Sequence, residues 1–112
     1  MGGPIIQTDV EGRLLDLADR LDREVERYAD VSHERAVAEA AYKKEYAVAI
    51  VTAGNETVAM KEAHAQLRAS DVFSDWKLAE AKEKATQQAL IAIRTQMDAL
   101  RTISANVRAM GG

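Results

Sequence analysis

The stretch "ALIAIRTQMDALRTISANVRAM" (residues 89–110) decides the fold. Its apolar residues follow one another at steps of three or four, the spacing that aligns side chains along one face of an α-helix. The residues of this stripe are Leu90, Ile93, Met97, Leu100, Ile103, Val107 and Met110. A helix with such a face buries it against another helix, which belongs either to the same chain or to a second molecule.

The same three–four spacing continues upstream of this stretch. The upstream positions are Ala69, Val72, Trp76 and Ala79, followed by Glu83 and Thr86. Polar residues at heptad core positions often fix the register or the oligomeric state of a coiled coil. The alternative is a helix face that turns toward solvent at Glu83 and Thr86, and the sequence leaves both interpretations open.

The composition predicts long helices in a single domain. The chain has 112 residues, of which 29% are charged and 47% hydrophobic, and Gly12 and Gly54 are the only glycines away from its two ends. Alanine-rich and charge-rich sequences with few helix breakers are typical of coiled coils. There is no cysteine, which excludes disulfides and thiolate chemistry.

The N-terminal half of the chain carries a helix start signal, an apolar stripe and a helix stop signal. Thr8 and Glu11 form a capping box, so we expect residues 1–7 to be a flexible tail. The stripe that follows contains Leu14, Leu17, Ala18, Leu21, Val25 and Tyr28. We favour one continuous helix through residues 30–33 to Ala53. Gly54 fits a left-handed helix end, and Asn55 or Thr57 can cap the next helix.

We therefore predict an all-α fold: a long antiparallel helical hairpin or coiled coil that self-associates. One helical domain spans residues 8–110, with its turn near residues 54–56 and a short tail at 111–112. Ser70 is a good helix N-cap, so a break there would give a third helix, and the sequence leaves this open.

The segment Tyr46–Ala53 is apolar on every side, and a single antiparallel neighbour cannot cover it. Either the third helix or other subunits must bury it, and we favour other subunits. The predicted oligomer interface consists of Tyr46, Ile50, Trp76, Leu90, Ile93, Met97, Leu100, Ile103 and Val107. For Trp76 a core or subunit-interface role is favoured over stacking on a ligand.

The charge pattern supports the hairpin and argues against a general nucleic-acid footprint. Residues 8–35 carry nine acidic and five basic side chains, whereas residues 90–112 carry one acidic and three basic ones. The net charge of −3 is unlike that of most nucleic-acid-binding domains. A basic strip nevertheless remains possible, and its residues are Lys84, Arg94, Arg101 and Arg108. We favour solvated positions beside the seam over phosphate contacts.

The sequence offers no catalytic constellation, and we expect neither enzyme activity nor a cofactor. Asp30 and His33 provide two possible metal ligands on one helix face, which is too few for a site, so no metal is expected. No glycine-rich phosphate loop occurs. The apolar run at residues 46–53 is far shorter than the roughly 20 residues that a membrane helix needs, and we expect no secretory signal.

The order of three segments resembles the small coiled-coil proteins encoded by tailed bacteriophages, which are often found among early genes. These segments are "ERAVAEAAYKKEYA" (residues 34–47), the turn "GNETV" (54–58) and "WKLAEA" (76–81), followed by the closing stripe. The likeness covers residues 10–110. It implies a non-enzymatic accessory protein of phage recombination, replication or host takeover in the cytoplasm of the bacterial host, and it supplies no catalytic residues.

A second family, the small secreted helical hairpins with a Trp-x-Gly turn, is similar in length and plan. Here the turn is Gly54-Asn55 without tryptophan, and Trp76 lies well inside the second arm. We rank this family below the phage proteins. The expected partners are therefore a second copy of the chain and a phage or host protein. A single-stranded nucleic acid is the less favoured alternative, and no membrane is expected.

Overall fold

The computed structural model describes residues 6–111, and within them the chain is an all-α helical hairpin whose second arm is broken. The three helices are α1 (Gln7–Val51), α2 (Val58–Arg68) and α3 (Ser70–Gly111). The continuity of α1 through residues 30–33 is confirmed. Gln7 and Gly111, which we had expected in the tails, belong to helices; residues 1–5 and 112 of those tails lie outside the described part.

The turn between α1 and α2 follows the sequence signals. Gly54 has a φ of 77°, which is the left-handed conformation expected there. The side-chain oxygen of Thr57 accepts a hydrogen bond of 3.2 Å from the backbone N–H of Met60, so Thr57 caps α2. The start of α1 differs from the prediction. The helix begins at Gln7, one residue before the expected cap Thr8, and the Gln7 amide donates to Glu11.

A single residue, Ala69, separates α2 from α3. Its N–H donates to Ala65 O at 2.9 Å, and its own carbonyl accepts from Phe73 N–H at 2.9 Å, so both helix ends are hydrogen-bonded across the break. Its φ of −91° and ψ of 8° depart from the helical conformation. The break near Ser70 is therefore present, and it produces the third helix that the sequence left open.

The contacts of the chain divide it into two units. Unit 1 combines the first part of α1, up to Tyr28, with α3 from Thr86 onward. Its core contains Leu17, Ile93 and Met97, with Leu14, Ala18, Leu21 and Leu100 packed against them. Gln7 Nε2 donates a 2.7 Å hydrogen bond to Ser104 Oγ, whereas Leu17, later on α1, packs with Ile93 and Met97, earlier on α3, so the two helices run antiparallel.

The buried face of unit 1 follows a strict heptad pattern, with alternating steps of four and three. On α1 the buried or half-buried positions of this pattern are Val10, Leu14, Leu17, Leu21, Glu24 and Tyr28. On α3 they are Thr86, Leu90, Ile93, Met97, Leu100, Ser104 and Val107. Thr86 is thus a core polar position, as one of our two interpretations required, and not a solvent-facing one.

Two residues assigned to the stripes are not on the buried face. Val25 is exposed, because the strict heptad step places Glu24 at the seam instead. Met110 is 87% exposed. It lies beyond the end of the partner helix: α1 begins at Gln7, and Gln7 already lies beside Ser104.

Unit 2, Ala29–Ala85, contains the rest of α1, all of α2 and the start of α3. A cluster of charged side chains lies on its seam. Arg35 Nε donates to both carboxylate oxygens of Glu83, at 3.2 and 3.1 Å, and Arg35 Nη1 lies 2.7 Å from Glu39 Oε2. Lys43 Nζ lies 3.1 Å from Glu39 Oε1. Glu83 is therefore a polar seam residue that pairs across the two helices, as anticipated for a core polar position.

We expect Ile93→Ala to lower the free energy of unfolding by about 2–4 kcal/mol, because Ile93 is only 2% exposed and its truncation leaves a cavity. Ile91→Ala is the matched control. Ile91 is 49% exposed, so its truncation should cost no more than about 0.5–1 kcal/mol. Urea denaturation followed by circular dichroism measures both. Equal losses from the two variants would contradict the assigned face of α3.

Candidate protein-interaction surfaces

The predicted oligomer-interface residues of unit 1 line the seam of the chain itself. Leu90, Ile93 and Met97 are buried against α1, and Leu100, Ile103 and Val107 are half-buried. The first three are therefore covered within one chain, and the other three are covered in part. Any surface that unit 1 offers to another molecule lies on the flanks of this seam.

The predicted interface residues of unit 2 are half-buried, and Trp76 belongs to an aromatic cluster. Its ring stacks on Tyr42, with the ring centroids 5.3 Å apart. Phe73 packs edge-on against both rings, and Tyr46 lies 5.9 Å from Tyr42. The Lys77 ammonium sits 4.1 Å from the centre of the Trp76 ring, a favourable cation–π contact. Ile50 is half-buried near the end of α1.

The predicted basic residues are all exposed. Arg94, Arg101 and Arg108 recur every seven residues along α3 in unit 1, and Lys84 is exposed in unit 2. Arg101 Nη1 lies 3.0 Å from Asp98 Oδ1, on the same helix. Among residues 6–111, Arg94 and Arg108 make no ion pair. Four acidic residues of α1 are likewise exposed and make no ion pair with these arginines: Asp16, Asp19, Asp22 and Glu26.

Arg101 borders a shallow groove along one side of the unit 1 seam. The groove is lined by Glu11, Leu14, Leu15, Ala18, Met97 and Arg101. Leu15 is 69% exposed within it. One heptad further along the same side, the spacing places exposed Val25 on α1 and Arg94 on α3. We call this surface, defined by Leu15, Ala18, Val25, Arg94 and Arg101, the basic groove.

The other side of the unit 1 seam carries a second row of arginines. Its groove is lined by Arg13, Asp16, Leu17, Arg20, Gln96, Ala99 and Leu100. Arg13, Arg20 and Arg27 recur every seven residues along α1 and are exposed. We did not predict this row, although its heptad spacing could have indicated it. The exposed apolar residues Leu15 and Ile91 were also missed, because hydrophobicity alone assigns such side chains to a core.

Unit 2 also has two sides, which differ in how they are covered. On one side α2 packs near the end of α1, where Arg68 Nε lies 3.1 Å from Glu45 Oε1 and Arg68 Nη1 donates to Thr52 Oγ1. On another side a groove runs between α1 and α3. It is lined by His33, Glu34, Val37, Ala38, Ala41, Val72 and Asp75.

The ion pairs of unit 2 shift two pKa values. The carboxylate of Glu39 has a lowered pKa, first because of its contact with Lys43 and second because of Arg35. The pKa of the Arg35 guanidinium is raised, first by Glu83 and then by Glu39. Within residues 6–111, no three histidine, aspartate or glutamate side chains are grouped so that they could hold a metal ion. None of the described helices has both the length and the apolar character of a membrane span.

Comparison with known proteins gives no match: no protein-family model, curated protein or solved structure is similar to this chain.

Because Lys43 is the first cause of the low Glu39 pKa, Lys43→Met should raise that pKa toward its ordinary value. The stabilisation from Glu39 is present above the ordinary glutamate pKa and is lost as the pH falls through the lowered folded-state pKa. Carboxyl chemical shifts followed by NMR titration measure the change. Lys61→Met, on another helix, is the control and should leave Glu39 unchanged. A Glu39 pKa that stays low in Lys43→Met would contradict the assigned cause.

Proposed function

We propose that this chain is a self-associating, non-enzymatic adaptor that acts through protein–protein contacts. The observation that carries the proposal is the position of its large apolar side chains. The heptad seam is filled, yet Leu15 and Val25 of unit 1 and Val37, Leu67 and Leu78 of unit 2 are exposed. Exposed apolar side chains that line a groove beside charged residues, as Leu15 does beside Glu11 and Arg101, form a surface that a protein partner can cover.

The basic groove suggests the chemistry of an adaptor partner. It sets the apolar side chain of Leu15 beside the guanidinium group of Arg101, and heptad spacing places Val25 and Arg94 further along the same side. A protein helix with an apolar face and carboxylates along its edge complements both features, because arginine pairs with carboxylates through two hydrogen bonds. The resemblance to small coiled-coil phage proteins supports a setting in phage recombination, replication or host takeover, inside the bacterial host.

A single-stranded nucleic-acid helper is the second candidate. It is favoured by the exposure of Arg94, Arg101 and Arg108 at heptad spacing and by the lack of an ion pair at Arg94 and Arg108 within residues 6–111. Two features weigh against it: the net charge of −3, and the exposed aspartates on the neighbouring α1. Acidic residues near a phosphate-binding strip reduce the positive potential that attracts the backbone.

Self-association predicts a mass clearly above the 12.3 kDa of one chain. We expect light scattering at about 50 µM protein to report at least a dimer, and dilution to shift the mass downward, as mass action requires. A mass of one chain throughout the concentration series would refute the self-associating part of the proposal.

The adaptor proposal predicts no binding of a labelled single-stranded oligonucleotide at about 50 µM protein in low salt. Fluorescence anisotropy measures this, with the double variant Arg94→Glu, Arg101→Glu as the comparison. If the unaltered chain binds and the variant does not, the nucleic-acid function is the correct one. In that case binding should weaken by roughly 0.7 log units per phosphate contact for each tenfold rise in salt.

A further inference from the structure

The groove of unit 2 between α1 and α3 is bordered by an apolar row on α1 that the seam does not use. Val37 is 56% exposed, and Ala41 and Val48 are also exposed. The α2 helix contacts α1 elsewhere, at Glu45 and Thr52, and the side chains of this row remain exposed. We call it the open face and define it by Glu34, Val37, Ala41 and Lys44.

The open face is self-complementary in sequence. Its four residues follow one another at steps of three, four and three, so their spacing reads the same in both directions. An acidic residue stands at one end, a basic residue at the other, and two apolar residues lie between them. If two copies of α1 pack antiparallel about a twofold axis near position 39, Glu34 meets Lys44 of the other copy and Val37 meets Ala41 of the other copy.

Both charged ends of the open face are available for such contacts. Glu34 and Lys44 are exposed, and neither makes an ion pair among residues 6–111. Their neighbours on α1 differ in this respect: Glu39 is held by Lys43 and Arg35, and Glu45 by Arg68. The small side chain of Ala41 also allows the two helix axes to approach to about 8 Å.

We propose that the open face binds a second copy of this chain through antiparallel packing of α1 on α1. The proposal rests on the self-association proposed above and gives it a surface and a register. A twofold contact forms two Glu34–Lys44 pairs and two Val37–Ala41 contacts at once. An unrelated partner would have to supply the same acid–apolar–apolar–base order independently, whereas a second copy supplies it automatically.

The test uses two charge variants, alone and mixed. Glu34→Lys leaves lysine at both ends of the open face, and Lys44→Glu leaves glutamate at both ends. In either homodimer every expected attraction becomes a repulsion, so we expect the dissociation constant to rise about tenfold or more. In an equimolar mixture the two variants are complementary, and the dissociation constant should return to within about threefold of the original. Sedimentation equilibrium measures all three samples.

The mixing experiment does not depend on how stably each variant folds, because the mixture that recovers contains the same two proteins that fail when each is alone. Ala41→Asp and Ala36→Asp form a matched pair: both alanines are exposed on α1, but only Ala41 lies on the open face. Ala41→Asp should weaken self-association, and Ala36→Asp should not. Circular dichroism verifies that helicity is unchanged.

The outcomes separate the two proposals. If the unaltered chain is monomeric, self-association itself is wrong. If it self-associates but the charge variants behave like the original, or if their mixture is no tighter than either alone, the open face is not the interface. The contact between copies would then belong to another surface, such as the basic groove.

Discussion

The packing of α1 against α3 at strictly alternating steps of three and four residues is the constraint on which the other features depend. In unit 1 this alternation places Leu17, Ile93 and Met97 in the core and leaves their immediate neighbours on the flanks. A two-helix seam is narrow, so it covers only the stripe itself and not the residues beside it. Leu15 and Ile91 are exposed for this reason, and any interaction surface must lie on the flanks.

Polar residues within the seam limit how the two helices can be aligned. In unit 2 the Arg35 guanidinium reaches Glu83 with two hydrogen bonds, and the side chains of both residues remain only partly exposed. A shift of α3 by one heptad would place Arg35 opposite an apolar seam residue such as Trp76 and remove its carboxylate partner on α3, leaving only Glu39 of its own helix. Such a pair contributes little to net stability, but losing one member is costly, so its main effect is on register.

Most of the fold could be predicted from the sequence, because heptad spacing and the turn at Gly54 depend only on residues that are close together in the sequence. The stripe of α3, the turn and the possible break near Ser70 were all read from short segments. The position of Glu24 at the seam could not be predicted, because a charged side chain is expected to be exposed to solvent. A long side chain can nevertheless lie along the seam with its carboxylate at the edge. The flanking grooves also could not be predicted, because each depends on the register of two helices. The open face could not be predicted either, because its exposure depends on where α2 packs. The position of α2 follows from the break at Ala69, and alanine ordinarily favours helix.

Trp76 gives the molecule an optical property that follows from its location. It is the only tryptophan in the chain, it lies in unit 2, and its indole is stacked on Tyr42 beneath the Lys77 ammonium. Tryptophan emission therefore responds to the surroundings of unit 2, whereas far-ultraviolet ellipticity averages over every helix of the chain. Different parts of a protein can unfold at different free energies. If tryptophan emission and ellipticity change together during unfolding, the whole chain unfolds in one cooperative transition. An earlier or later change in emission would instead reveal a molecule whose halves lose their structure in sequence.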